Sequence, residues 1–377
     1  MKLHTLKVSI FAFLFLTITT FTNHQNEITT SKKQTIKVAL LLDTSSSMDG
    51  LINQAKAQLW EIVNELSFAK YGIQKPNLEI ALYEYGNSNL SSKEGYIRQV
   101  LQFSSDLDKI SEKLFSLTTN GGSEFCGQVI QTSLNELAWG TNKNDLRLLF
   151  IAGNEPFTQG KINYKDAISN AKEKDVIVNT IFCGNYSQGI SGKWQDGAIS
   201  GGGDYMTINQ NKKVIHIVTP YDTEILILNN RLNKTYIYYG IDGYKKHKNQ
   251  SLQDSNASEL NEVVEVKRAI SKSSRLYNNA AWDLVDADQK KKVNYTKLNK
   301  KNLPKHLQSK SAKEIEIYVK KQALTRTKIK ENIQILNKKR KLYVINKQKE
   351  SGKDQLDNVL IKAIKKQANR KKYTWKK

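Results

Sequence analysis

Residues 36–50, IKVALLLDTSSSMDG, carry the reading from which the fold follows. Positions 36–43 form a nearly continuous apolar run of strand length, as suits a strand covered on both faces of a parallel sheet. A Ser-rich turn follows, and Leu51, Ala55, Leu59, Ile62, Val63 and Leu66 then recur at helical spacing. The same alternation extends outward. Strand-like runs stand at 78–85 (LEIALYEY, after Pro76), 96–103, 146–152 (LRLLFIA), 176–183 (VIVNTIFC) and 205–208. Helical spacing fills 106–117, 124–139 and 164–173, and Thr219-Pro220 reads as a helix N-cap followed by proline at the first helical position. Strands alternating with helices predict an α/β class, with a doubly wound, mostly parallel sheet and helices on both faces. Ligands of such sheets bind beyond the C-terminal strand ends, at the switch point. The loops to inspect are those after Leu42, Leu117, Ala152 and Cys183.

A chain of 377 residues with 39% hydrophobic content can bury a core, and it suggests two domains. The mean hydropathy of −0.56 excludes a multi-pass membrane protein. The formal charge of +23 is uneven: residues 1–240 hold 23 Lys+Arg and 22 Asp+Glu, a net +1, and residues 241–377 hold 36 and 14, a net +22. The expected organisation is a signal peptide at 1–25, a near-neutral α/β domain at 34–240, a polar linker with a short helix at 241–310, and a basic helical region at 311–377. The leader reading rests on Lys2 and Lys7 ahead of the apolar run 8–21, too short to span a bilayer comfortably. It implies export to the periplasm or the extracellular space, with an uncleaved N-terminal anchor as the alternative.

Cys126 and Cys183 are the only cysteines; an even pair is a candidate disulfide in an exported chain and two inert thiols otherwise. No C-x-x-C or H-E-x-x-H occurs, so zinc chemistry is not expected, and a lone His216 in VIHIV reads as a strand residue.

The first loop, Asp43-Thr44-Ser45-Ser46-Ser47, is a D-x-S-x-S arrangement between a buried strand and a helix. One carboxylate and two hydroxyls make a hard-oxygen site suited to Mg²⁺ or Mn²⁺, although the same residue types also cap helix N-termini. Gly121-Gly122-Ser123 brings another hydroxyl to a helix start. The D-x-S-x-S unit, GGS and the strand ending in I-A-G-N-E-P together resemble a von Willebrand factor type A (vWA) domain over residues 34–240. The resemblance implies a Rossmann-like fold and a metal-ion-dependent adhesion site (MIDAS). A Mg²⁺ or Mn²⁺ would sit on Asp43, Ser45, Ser47 and Ser123, and a protein partner's carboxylate would complete its shell. Gly153 stands where the family usually has Asp, so Glu155 or Glu124 would supply the lost charge, or the site would bind no metal. Cys126 follows GGS and Cys183 ends a strand at the same sheet edge, where a disulfide would staple loop to rim.

In the basic region, Ser311-x-x-Glu314 is a capping box. Behind it Ile315, Val319, Gln322, Arg326, Ile329, Ile333, Leu336, Arg340 and Tyr343 follow a heptad-like seam that Gln322 and the two arginines interrupt. This predicts a helix of about 33 residues that packs on the first domain, pairs as a coiled coil, or docks on an anionic membrane surface or polyanion. Specific nucleic-acid recognition is not expected, since no motif for it appears. With no nucleophile elbow, no P-loop and no histidine near the four loops, the chain reads as a binding or scaffold protein rather than an enzyme.

Overall fold

The computed structural model describes residues 33–208, 217–351 and 356–375. Its strands are β1 (Thr35–Asp43), β2 (Lys70–Tyr71), β3 (Asn77–Tyr85), β4 (Ile97–Ser104), β5 (Leu146–Gly153), β6 (Ile177–Cys183), β7 (Gly202–Ile208) and β8 (Tyr373–Thr374). Six form one sheet in the order β4-β3-β1-β5-β6-β7, and β2 pairs with β8. Every neighbour in the large sheet is parallel except β4, antiparallel at its edge. The apolar run of β1 has the expected cause. Val38, Leu40 and Leu42 enter the core on one face, Ala39 and Leu41 the core on the other.

The helices are α1 (Asp49–Leu66), α2 (Leu107–Phe115), α3 (Cys126–Glu136), α4 (Tyr164–Glu173), α5 (Tyr186–Ser191), α6 (Trp194–Ser200) and α7 (Asp222–Asn233). They continue as α8 (Gly243–Leu260), α9 (Glu262–Ser273), α10 (Leu284–Gln289), α11 (Lys305–Gln308), α12 (Ala312–Ser351) and α13 (Leu356–Arg370). Residues of α3, α4 and α6 fill one core; those of α1, α2, α7, α9, α12 and α13 fill the other. Thr219 donates from both its amide and its hydroxyl to the Asp222 carboxylate, so the cap read from sequence sits one turn ahead of α7. The leader at 1–25 and His216 lie outside the described residues.

The stretch 241–310 is not a linker. It carries α8 to α11, and the chain from Lys33 to Lys377 forms one compact unit. The sequence masks α8 because its inward face is polar: Gln250 and Gln253 are buried beside Ala257. Gln253 accepts from Ser111 Oγ at 2.8 Å, and Gln250 donates to Tyr277 OH at 2.9 Å. Arg268, from α9, reaches Asp254 at 2.6 Å and Asp108 at 2.9 Å with its guanidinium over the Trp60 ring. Helix periodicity read from apolar residues alone therefore starts too late: α8 already runs to Leu260, and Asn261 separates it from α9, which it caps.

The 40-residue α12 begins on the Ser311–Glu314 capping box, with reciprocal bonds at 3.3 and 2.8 Å. Its seam residues Ile315, Val319, Ile329 and Ile333 are buried in the chain's own cores. The arginines that break the seam anchor it. Arg326 holds Asp283 at 2.5 Å and Asp286 at 2.6 Å and stacks on Tyr236, while Arg340 holds Asp222 at 2.9 Å. Beyond α12, Lys365 and Lys366 of α13 meet Glu65 and Asp204, and Lys371 meets Asp175. Trp375 donates to Glu65 O at 3.1 Å. The basic region is thus bound onto acidic residues of the first half. Among the described residues no helix is long and apolar enough to cross a membrane.

Candidate metal site at the sheet switch point

β1 lies between β3 and β5, the position where the chain winding reverses, and its C-terminal end delivers Asp43 into the cleft. The loop after it is pinned on both sides. Thr44 N donates to Tyr85 O at 2.8 Å, and Asn120 N donates to Thr44 O at 3.0 Å. Asp43 is fully buried; its Oδ1 accepts from Ser45 N at 2.7 Å. Ser45 Oγ and Ser47 Oγ lie 3.2 Å apart, and Asn154 Nδ2 donates to Ser47 Oγ at 3.2 Å. Neither the 3₁₀ turn Ser46–Met48 nor α1 receives a side-chain cap, so these residues do not serve as an N-cap.

The second loop approaches through Gly122. A Cβ there would fall 2.2 Å from Gly86 O, so only glycine allows the contact. That approach lays Glu124 beside Asp43: a methyl at Gly86 would be 2.8 Å from both Asp43 Oδ1 and Glu124 Cγ. The two carboxyls lie against each other, with Ser45 beside both. Burial, then the neighbouring Asp43, pushes the Glu124 carboxyl up to about 9; burial also raises Asp43. Asp43 Oδ2, Glu124 Oε2 and Asn154 Oδ1 are buried without a donor. Ser123 is exposed at the mouth of the same loop.

Among the described residues no three His, Cys, Asp or Glu side chains cluster as a cage, so a cation here would rest on mixed carboxylate and hydroxyl oxygens. Hard, acceptor-only oxygens lacking donors fit Mg²⁺ or Mn²⁺.

Residues 37–189 match the family model described as the von Willebrand factor type A domain. This part of the chain is a vWA domain. An aerotolerance-related membrane protein from Bacteroides fragilis NCTC 9343, solved with multiple mutations to serines, is 16% identical over 47% of this chain and 93% of its own, with a TM-score of 0.33. BatB from Bacteroides thetaiotaomicron is 16% identical over 46% of this chain and 90% of its own, TM-score 0.35. Proximal thread matrix protein 1 from the mussel byssus, solved with a zinc-occupied MIDAS motif, is 13% identical over 48% and 43%, TM-score 0.34. No curated protein matches the sequence.

Within the vWA domain, the third loop explains its own departure. A Cβ on Gly153 would stand 2.5 Å from Tyr85 OH, 3.1 Å from the Trp194 ring and 3.2 Å from Asp43 Oδ2. Tyr85 OH is fixed by donating to Ala152 O at 2.9 Å. Tyr85 was invisible as a site residue in the sequence, where it reads only as the end of a strand. Glu155 spends its side chain elsewhere: Oε2 accepts from Gln159 at 3.1 Å, and its backbone oxygen accepts from Trp194 Nε1 at 2.8 Å. It acts on Asp43 and Glu124 through its charge.

The expected disulfide does not form; Cys126 and Cys183 are buried free thiols. Side chains alternate along β6, which puts Cys183 in the core on the α1 face, whereas Cys126 lies in the core on the α3 face. The sheet stands between them.

Proposed function

We propose that this is an exported binding or scaffold protein whose vWA domain holds Mg²⁺ or Mn²⁺ at Asp43, Ser45, Ser47 and Ser123. A carboxylate of a protein partner would be the ligand. The observation that carries the reading is the set of buried oxygens without donors at the switch point, Asp43 Oδ2 first among them. The ion would supply positive charge between the domain's acid and the partner's. Asp43 gives the site its charge, Ser45 and Ser47 direct their hydroxyls toward one another, and the Thr44 bonds keep the loop from rearranging. Binding rather than catalysis fits the surroundings: the histidines among the described residues, His247 and His306, stand on α8 and α11, not in these loops.

A thermal-unfolding titration of the full-length chain with Mg²⁺ and Mn²⁺, beside Asp43→Ala, tests the reading. An ion at a hundred times its dissociation constant stabilises a fold by about 2.7 kcal/mol, so wild type should gain that and the variant nothing. No gain in wild type would refute it.

A second reading, metal-free binding to an anionic surface or polyanion, has its own observation. No acid lies between Asp288 and Glu314, while Lys290, Lys291, Lys292, Lys297, Lys301 and Lys305 are exposed. Binding of that kind falls steeply with salt and ignores EDTA; metal-borne binding does the reverse.

A further inference from the structure

We propose that Glu124 is a direct ligand of the cation and replaces the carboxylate that a vWA third loop usually supplies. The inference rests on the metal-binding reading above and concerns which residues of this chain hold the ion.

Three observations converge on it. Position 153 has no room for a side chain, because Tyr85 OH, the Trp194 ring and Asp43 Oδ2 already occupy the space around its Cβ direction. The charge must come from elsewhere. Second, Glu124 is only 4% exposed yet has a carboxylate oxygen with no donor, and it faces fully buried Asp43, whose Oδ2 is in the same state. No side chain around them offers these two oxygens a donor, and a cation held between the acids would satisfy both. Third, the backbone is built for this approach. Gly122 lies against Gly86 at a separation no other residue permits, and Gly86, at φ +79°, leaves the space between the two acids open.

Loops one and two therefore each contribute one carboxylate, and loop three contributes the neutral Asn154. Glu155 is left outside the direct shell by its bond to Gln159.

The test is Mn²⁺ binding to the full-length chain, read both as the electron paramagnetic resonance signal of free Mn²⁺ and as the shift in unfolding temperature. The proteins are wild type, Ser45→Ala, Glu124→Gln and Glu155→Gln. The proposal expects Glu124→Gln to weaken Mn²⁺ binding at least tenfold while unfolding no lower than wild type without metal, and Glu155→Gln to bind within about threefold of wild type. Wild-type affinity in Glu124→Gln, with Ser45→Ala defective, overturns the assignment and leaves the metal site standing. Absence of Mn²⁺ binding in wild type overturns the metal reading itself, and this inference with it. Should Glu124→Gln not fold, Glu124→Asp decides: the shortened acid keeps its charge but withdraws, and unchanged affinity refutes a direct bond.

Discussion

Gly153 and Glu124 show how far single residues determine this site. The sequence marks Asp43, Ser45, Ser47 and Ser123 by motif, and it marks Gly153 only as a missing acid; the reason, a tyrosine hydroxyl 68 positions upstream, is a tertiary fact. Restoring the family residue should therefore harm the fold. Gly153→Asp is expected to cost about 1–3 kcal/mol by overpacking, and adding Tyr85→Phe should recover part of it; chemical denaturation measures both. A second consequence concerns pH. Glu124 keeps its proton in the folded state up to about 9, whereas an unfolded glutamate loses it near 4.5. Between these values the folded chain binds more protons, so metal-free stability falls as pH rises. Glu124→Gln should flatten that slope in EDTA; an unaltered slope would place its origin elsewhere.

At the scale of elements, strands and helices of the sheet domain were legible because their periodicities come from apolar residues. The helices that cover it were legible only in part. α12 was readable from its cap and seam, but the seam packs on α7, α9 and α10 rather than on a second chain, because Arg326 and Arg340 meet buried acids there. α8 was hidden by a polar inward face. Removing one partner of a buried ion pair leaves the others uncompensated, so Arg326→Ala is expected to destabilise by about 3–5 kcal/mol. Arg326→Met would leave the same two acids unpaired and should not rescue it. Urea unfolding distinguishes this from a solvated helix, in which either change would cost under about 1 kcal/mol.

Across the whole molecule, the division into a near-neutral half and a strongly basic half is real in composition and misleading in space. Lys267, Arg268, Arg340, Lys365 and Lys366 reach back to Glu61, Asp108, Asp222, Glu65 and Asp204. α13 contributes Leu360, Ala363, Ile364 and Ala368 to the core on the α1 face. A chain ending at residue 355 should accordingly unfold at lower temperature and bind hydrophobic dye, whereas a detachable tail would leave the unfolding transition unchanged. The fragment 34–240 lacks the same cover and should be worse.

The function of the vWA domain depends on whether the donor-poor oxygens at the switch point hold an ion. Equilibrium dialysis of the full-length chain against Mn²⁺, with Asp43→Ala alongside, answers that most directly. One Mn²⁺ per wild-type chain and none in the variant is the predicted result. An equal, low occupancy in both proteins would contradict it.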